Sequence, residues 1–419
     1  MERWDSQNSW DACWVRGLRD SSKLSINDSI LELGRQRITS TVLSVMGRSS
    51  RVIKISNFQL YSILVVFITP LAFLEIPGIL ARFLQQNAWM PVFLAIIPAY
   101  FLILIYNYIL QHSQHPFPHL LMEHLGQPVG RILGLIYSLV FLLLSSYSLR
   151  YFTDFMENNV LPGTPISIHI GVLIVALVLG IRAGIGNLAR LMEIVVICGV
   201  SFSLMTLLII MAQQGEIERL LPLSNLNYNN LALATGSNLA IISRLFVVLT
   251  FGFWCGNKNE VAAVMNKAML TYVLIIGLTT LSVLMVFGGT ITSILTFPTF
   301  SMVTLINISN FIQNIDIIFI GIWILGIYGL TAVGWFMACY TLQIVFNLHD
   351  YRFLGAATAL LVGIVSILIS ANILELLRVT QVIIPILYAV FFITIPILLI
   401  LLIFIKAIRY RSSTEHNMN

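Results

Sequence analysis

Charged residues are scarce in this sequence of 419 residues. Only 10% of the residues are charged, whereas a soluble domain carries roughly a quarter. Hydrophobic residues make up 58% of the chain, and the mean hydropathy is +0.92. Because so little charge cannot cover a water-exposed surface, the composition indicates an integral membrane protein.

Cysteine pairs and catalytic motifs are also missing. Cys13, Cys198, Cys255 and Cys339 lie far apart with no CxxC pair, so neither a disulfide framework nor a zinc site is indicated. The sequence has no Walker loop, no GxSxG and no HExxH motif. We therefore expect no enzymatic activity, no cofactor and no nucleic-acid partner.

The N-terminal segment, residues 1–54, has no sustained helical or strand period. It also lacks an apolar core of the length that a signal peptide needs. We interpret it as a polar tail that is disordered or lies upstream of the true start, for which Met46 is the candidate. The sequence then predicts a membrane domain at 55–410 and a short cytoplasmic tail at 411–419.

Long apolar runs dominate the rest of the chain. A helix of about 20 residues crosses the roughly 30 Å of bilayer hydrocarbon, and an open sheet cannot satisfy its backbone in lipid. The sequence therefore predicts an all-α membrane protein with about ten transmembrane helices. The predicted spans are 57–83, 89–110, 131–156, 165–181, 187–213, 232–256, 260–287, 315–346, 353–371 and 379–407.

The distribution of Lys and Arg predicts the orientation. With the N-terminus in the cytoplasm, most of the 23 Lys and Arg residues fall on the inner side. The outer side keeps only Arg82, Arg150, Arg219 and Arg378, and Arg244 falls within a predicted span. Since cytoplasmic loops carry an excess of cations, we expect both termini in the cytoplasm.

The first predicted span contains ITPLAFLEIPG, residues 68–78, with two prolines and a carboxylate. Pro70 removes a backbone donor, and Glu75 places an ionisable group where water is scarce. Irregular backbone is tolerated in lipid only where it is buried in protein or lines a cavity. We therefore expect the helix to break near Pro70, with the break facing the interior.

The loop after the second predicted span holds four histidines beside Glu123: His112, His115, His119 and His124. Four imidazoles and a carboxylate could form a metal site. Pro116 and Pro118 can instead open a short helix with an apolar stripe, which favours an amphipathic segment at the membrane interface.

Two segments carry a resemblance to a known family. They are AGIGNLARLMEIVVICGV at 183–200 and FPTFSMVTLINISNFIQNIDIIFIGIW at 297–323. Shorter matches are ISNFQ at 55–59 and HLGQPVGRILGLIY at 124–137. From about Ile55 to Arg411, the sequence resembles the B subunits of spore germinant receptors.

This resemblance implies a LeuT-like fold of the amino acid/polyamine/organocation transporters. Such a fold has two inverted repeats of five helices, and the first helix of each repeat is broken. The resemblance also implies a complex in the spore inner membrane with an A-type membrane subunit and a C-type lipoprotein. A small nutrient such as an amino acid would be the ligand, and lipid the surrounding medium.

The family's pocket lies between helices one, three, six and eight, which gives ten candidate ligand-binding residues. Several relatives carry an acid where Thr250 falls, and many carry glycines near the first break. The candidates are Thr69, Pro70, Ala72, Glu75, Leu144, Tyr147, Arg244, Thr250, Tyr328 and Thr331.

Several interpretations stay open at this point. Arg244 can contact the ligand, form a buried tie to Glu75 or Glu193, or extend to the interface. The chain can be a receptor subunit, an amino acid permease that uses a proton or sodium gradient by itself, or a mainly structural subunit whose pocket is vestigial or serves as an ion path.

Overall fold

The computed structural model describes residues 54–113, 115–221, 226–306 and 315–403. Nine helices in these ranges are long and apolar enough to cross a membrane. We number them by the predicted span to which they correspond. They are span 1 (Asn57–Asn87), span 2 (Met90–His112), span 3 (Gln127–Asn159), span 4 (Ile166–Ala183), span 5 (Ile185–Gln214), span 6 (Tyr228–Trp254), span 7 (Lys258–Ile294), span 8 (Asp316–Val345) and span 10 (Ile373–Ile403).

The predicted terminal tails lie outside the described residues, apart from Lys54. The ninth predicted span is present as two short helices, Arg352–Ala357 and Ala359–Leu368, separated by Thr358. They pack on spans 3 and 4, and we call them span 9. The prediction of about ten membrane helices therefore holds, with the ninth shorter than expected.

Span 1 lies at the centre of the bundle. The most apolar part of span 1 is 89% buried inside the protein, against 28% for spans 4, 5 and 10. Span 1 packs on spans 5, 6, 7 and 8, and span 3 packs on span 8. Polar side chains on span 1 are therefore enclosed by protein, whereas the outer faces of spans 4, 5 and 10 are left for lipid or partners.

The predicted break in span 1 is not found, because a continuous helix, Asn57–Leu84, runs through both Pro70 and Pro77. A proline leaves the carbonyl four residues earlier without its helical donor. For Pro77 that carbonyl belongs to Phe73, and the Thr299 hydroxyl donates a hydrogen bond of 2.6 Å to it. Neighbouring groups of this kind let proline stay within a membrane helix.

Span 6, the first helix of the second repeat that the resemblance implies, is irregular. Its helical repeat changes at Ser243, next to Arg244, without unwinding into extended backbone. Such a mid-helix 3₁₀ stretch often marks a functional hinge. The successive segments are an α-helix at Tyr228–Ile242, a 3₁₀ helix at Ser243–Val247, an α-helix at Val248–Phe251 and a 3₁₀ turn at Gly252–Trp254.

The start of span 1 is fastened to the segment that follows span 6. The Ile55 amide donates to the Trp254 carbonyl at 2.8 Å, and the Cys255 thiol lies 2.8 Å from Asn57 Oδ1. The Asn57 amide also donates to the Glu260 carboxylate. These contacts, which we call the terminal clasp, close one end of the bundle.

The histidine-rich loop forms the predicted amphipathic helix, at Phe117–Leu125. Phe117, Leu120 and Leu121 are buried, whereas His119 and Glu123 are exposed. Within the described ranges, no group of three or more His, Cys, Asp or Glu residues is placed to hold a metal ion. The amphipathic interpretation is therefore confirmed.

Candidate ligand-binding site

Glu75 is a buried carboxylate near the middle of span 1, with 7% of its surface exposed. Its Oε2 accepts a hydrogen bond of 3.1 Å from the Tyr147 hydroxyl of span 3. The Tyr147 hydroxyl also lies 2.8 Å from Thr380 Oγ1 of span 10. Glu75, Tyr147 and Thr380 therefore join three spans through one chain of hydrogen bonds.

The direction of this chain depends on the proton of Glu75. Thr380 Oγ1 lies 2.9 Å from the Leu376 carbonyl, and the Thr380 hydroxyl has one hydrogen to donate. If Glu75 is ionised, Thr380 donates to Tyr147 and Tyr147 donates to Glu75. If Glu75 is protonated, each hydroxyl can donate the opposite way, ending at the Leu376 carbonyl.

Arg244 of span 6 is also buried, with 2% of its surface exposed. Its guanidinium carbon lies 4.8 Å from the ring centre of Phe67 and 5.6 Å from that of Tyr388. Its Nε atom is buried without a hydrogen-bond partner. Aromatic rings stabilise a desolvated cation by about 2 kcal/mol or more, but they do not accept the hydrogen bond that Nε can donate. Arg244 therefore keeps an unused hydrogen-bond donor.

Glu75 and Arg244 are not paired with each other. The ion pairs of the described ranges are Arg150–Asp154 and Arg219–Glu216. The interpretation that Arg244 is tied to Glu75 or to Glu193 is therefore wrong. Snorkelling is excluded as well, because the arginine side chain is buried. A charge at membrane depth is costly and marks a functional site by default.

Two small cavities adjoin these charged groups, and Tyr388 of span 10 lines both. The Glu75 cavity lies between spans 1, 6 and 10. The Arg244 cavity is narrow and is also lined by Phe67, Leu144 and Gly334. Tyr388 thus adjoins both the buried carboxyl group of Glu75 and the buried guanidinium of Arg244.

Four of the ten predicted residues, Glu75, Leu144, Tyr147 and Arg244, meet around Tyr388. Thr331 lies beside them, because its carbonyl is 3.5 Å from the hydroxyl of Ser145, which lines the Arg244 cavity. The structure therefore brings together predicted residues from spans 1, 3, 6 and 8.

The other predicted residues do not line these two cavities. Thr69 and Pro70 line a separate cleft on the far side of span 1. Ala72 and Thr250 are buried, and the Thr250 hydroxyl has no partner. Tyr328 points towards span 4, where its hydroxyl donates to the Ala176 carbonyl at 3.2 Å.

The contribution of span 10 was missed by sequence reasoning. Thr380 lies in a π-helical turn at Val379–Ile383, and a second π-turn at Ala389–Thr394 follows Tyr388. Turns of this type occur frequently at functional sites. The sequence signal was weak, because a threonine and a tyrosine are unremarkable in an apolar span.

Comparison with known proteins identifies the family and the fold. Residues 54–374 match the spore germination protein family. The putative spore germination protein YfkT of Bacillus subtilis (strain 168) is 25% identical over 342 residues, which cover 79% of this chain and 91% of the relative. The family match spans most of the membrane domain.

A solved transporter shares the architecture. The structure of MHP1, a nucleobase-cation-symport-1 family transporter in a closed conformation with bromovinylhydantoin bound, aligns with a TM-score of 0.58 at 12% identity. The alignment covers 81% of this chain and 79% of that chain. It confirms the predicted LeuT-like fold, apart from the break expected in span 1, and the spore germination protein family is one of transporters or receptors rather than of enzymes. This permease-like, multi-pass membrane chain belongs to the spore germination protein family.

Proposed function

We propose that the chain is the membrane subunit of a spore germinant receptor and recognises a small amino acid between Glu75 and Arg244. The observation that carries this proposal is that a buried carboxyl group and a buried guanidinium adjoin the same residue, Tyr388, and neither has an ion-pair partner in the described ranges. Such charges are costly unless something compensates them.

An amino acid supplies both missing counter-charges at once. Its carboxylate would accept charge-assisted hydrogen bonds from Arg244, and its ammonium group would donate to Glu75. Because Tyr388 lines both cavities, a ligand that bridges them has to displace the Tyr388 ring. Recognition would therefore be coupled to movement of span 10.

The walls of the Arg244 cavity favour a ligand with a small side chain. Leu144, Phe67 and Leu330 give it an apolar lining. A Cβ atom added at Gly334 would lie 2.9 Å from Ser145 Oγ and 3.6 Å from the Phe67 ring. Even one added methyl group at Gly334 would therefore be too close to Ser145. A bulky ligand side chain has no room on this side of the cavity.

Binding energy would be converted into a signal through the four spans that meet at the site. A ligand that contacts spans 1, 3, 6 and 10 favours the conformation in which their groups converge, and so shifts the population of states. In the proposed assembly, an A-type membrane subunit and a C-type lipoprotein receive this change in the spore inner membrane, and both termini of the chain lie in the cytoplasm.

The direct test is thermal unfolding of the purified protein with a panel of amino acids, sugars and nucleosides. A ligand that binds only the folded state raises the Tm with its concentration. We expect selective stabilisation by a small amino acid and its loss in Glu75→Gln. Arg219→Met, at an exposed ion pair, is the control and should respond like the unmodified chain.

Two results would count against the proposal. One is the absence of stabilisation by every amino acid, and the other is equal stabilisation of Glu75→Gln and the unmodified chain. In cells that lack a redundant paralogue, disruption of the gene should abolish germination with that amino acid. Unchanged nutrient responses would contradict the receptor role even if the ligand binds.

A second function, an amino acid permease that acts alone, is favoured by the fold shared with a transporter. Purified protein in liposomes would then accumulate labelled amino acid when a proton or sodium gradient is imposed. Accumulation without A-type or C-type partners would support the permease. Binding without accumulation would support the receptor.

A further inference from the structure

A third and larger cavity lies on the far side of span 1 from Arg244. It lies between spans 1, 5, 7 and 8. Val65, Val196, Ile275 and Phe319 are typical of its walls. Its polar side-chain groups are the hydroxyls of Thr69 and Ser203 and the indole N–H of Trp323, which is already hydrogen-bonded. We call it the lateral cleft. A cavity lined in this way does not hold ordered water, because water needs several polar partners.

The lateral cleft opens towards the surface that faces the bilayer. At its mouth, Gly199, Val200 and Phe202 of span 5 are partly exposed, as is Ile322 of span 8. The flanking residues of both spans are apolar and exposed. They are Ile194, Ile197, Met205 and Leu208 on span 5, and Ile318 and Leu325 on span 8. The mouth is therefore continuous with a surface suited to hydrocarbon.

The floor of the cleft is the proline turn of span 1. Because Pro70 has no N–H, the carbonyl of Val66 lacks its helical donor. The Thr69 hydroxyl next to it has no hydrogen-bond partner. On the wall of the cleft, Trp323 Nε1 donates a hydrogen bond of 2.9 Å to the Pro70 carbonyl. The cleft thus reaches the turn of span 1 whose backbone hydrogen bonds are incomplete.

We propose that the lateral cleft binds one acyl chain of a bilayer phospholipid, which supports span 1 at Pro70. The mouth faces lipid, the walls are apolar, and the depth places the occupant at the level of the hydrocarbon. A water-soluble nutrient has no route to this mouth except through the bilayer. The cleft is thus separate in chemistry and in access from the site at Glu75 and Arg244.

The same turn of span 1 faces both sites. Phe67 lines the Arg244 cavity, whereas Val66, Thr69 and Pro70 line the cleft. An acyl chain in the cleft therefore opposes bending of span 1 away from Arg244. The lipid composition of the membrane can therefore affect the conformation of the central site without any contact between lipid and nutrient.

Photolabelling tests the occupant. The full chain is placed in nanodiscs of phosphatidylglycerol and phosphatidylethanolamine that contain a phosphatidylglycerol with a diazirine on its acyl chain. We expect adducts at residues 195–203 and 319–326. Gly199→Leu fills the mouth with a side chain, because a Cβ at this position meets Ile322 at an ordinary 3.7 Å. Labelling of the lining should fall severalfold in this variant.

Gly171→Leu is the matched control, because this glycine of span 4 is exposed and has nothing within 4 Å of an added Cβ. Its labelling should equal that of the unmodified chain. Adducts confined to outward residues such as Ile194 and Leu208, or lining adducts that persist in Gly199→Leu, would overturn the proposal. Labelling of the lining by a diazirine fatty acid but not by the phospholipid would reject the phospholipid as the source.

A stability measurement checks the support of span 1. Removal of lipid by extensive detergent washing should lower the Tm of the unmodified chain and of Gly171→Leu by similar amounts. It should lower the Tm of Gly199→Leu by less, because leucine replaces part of the acyl chain. An equal fall in all three proteins would show that no lipid is bound in the cleft.

Discussion

The Tyr147 hydroxyl donates a hydrogen bond of 3.1 Å to Glu75 Oε2. Replacement of Tyr147 by Phe should leave a buried carboxylate without this donor, at a cost of about 1–3 kcal/mol in the free energy of unfolding. Ligand-induced stabilisation should weaken as well, because Glu75 then loses the group that positions it. Thermal unfolding with and without the amino acid measures both effects.

The control for that substitution is Tyr328→Phe. It removes a hydroxyl that bonds to the Ala176 carbonyl between spans 4 and 8. Its ligand response should match that of the unmodified chain. If Tyr147→Phe and Tyr328→Phe respond to ligand alike, Tyr147 has no special relationship to the site.

Substitution of Arg244 should lower the affinity for the ligand much more than the folding stability. Arg244→Met keeps an apolar stem between Phe67 and Tyr388 and removes a buried donor that has no partner. We expect little loss of folding stability, because a buried uncompensated charge is itself costly. Affinity for the amino acid should fall about tenfold or more, since a hydrogen bond to a charged group contributes about 1.5–3 kcal/mol.

Arg244→Lys refines this test. Lysine keeps the charge but not the planar fork that binds a carboxylate through two parallel bonds. An intermediate affinity is therefore expected from isothermal titration of the purified variants. Unfolding of Arg244→Met with normal binding in the remaining folded fraction would assign Arg244 a purely structural role.

The Arg150–Asp154 ion pair of span 3 should matter far more for stability than the Arg219–Glu216 pair. The side chains of the first pair are 3% and 4% exposed, and those of the second are 39% and 60% exposed. Asp154→Ala should cost about 3–5 kcal/mol, because it strands a buried cation. Glu216→Ala should cost less than about 1 kcal/mol.

The double variant Arg150→Met with Asp154→Leu shows whether the cost is that of the stranded charge. It should recover most of the stability lost in Asp154→Ala, as measured by denaturant unfolding in detergent. Failure to recover would mean that the two side chains are needed for packing rather than for charge compensation.

Thr299 should support span 1 through its 2.6 Å hydrogen bond to the Phe73 carbonyl. Thr299→Ala removes the donor from a buried carbonyl and should lower the free energy of unfolding by about 1–3 kcal/mol. Thr299→Ser retains the hydroxyl and should recover most of that loss. Thr304→Ala, at an exposed hydroxyl nearby, is expected to change little. Equal stability of Thr299→Ala and Thr304→Ala would contradict this account.

The apolar runs were enough to predict the helices and their order, because the bilayer requires about 20 apolar residues for each crossing. They did not predict that span 1 stays helical at its prolines. The groups that hold it, Thr299 and Trp323, lie 226 and 253 residues along the chain from the carbonyls they bind. A local pattern cannot show a partner at such a distance.

The candidate site was only partly predictable for a similar reason. Glu75 and Arg244 stand out because ionisable residues are rare in apolar spans. Thr380 and Tyr388 carry no such signal, because threonine and tyrosine are common in membrane helices. Their span was also not among the helices expected to form the pocket. Their place beside Tyr147 and Arg244 became apparent only from the packing of span 10.

Span 9 gives the protein an uneven thickness. From Arg352 to Leu368 it measures about 25 Å at 1.5 Å per residue, whereas the hydrocarbon layer is roughly 30 Å. Leu360 at its middle and Leu368 at its end are among the most exposed apolar side chains. A span shorter than the hydrocarbon layer is accommodated by local thinning of the bilayer or by association with another protein. We therefore expect this side of the protein to be sensitive to membrane thickness and to be a favourable place for a neighbouring subunit.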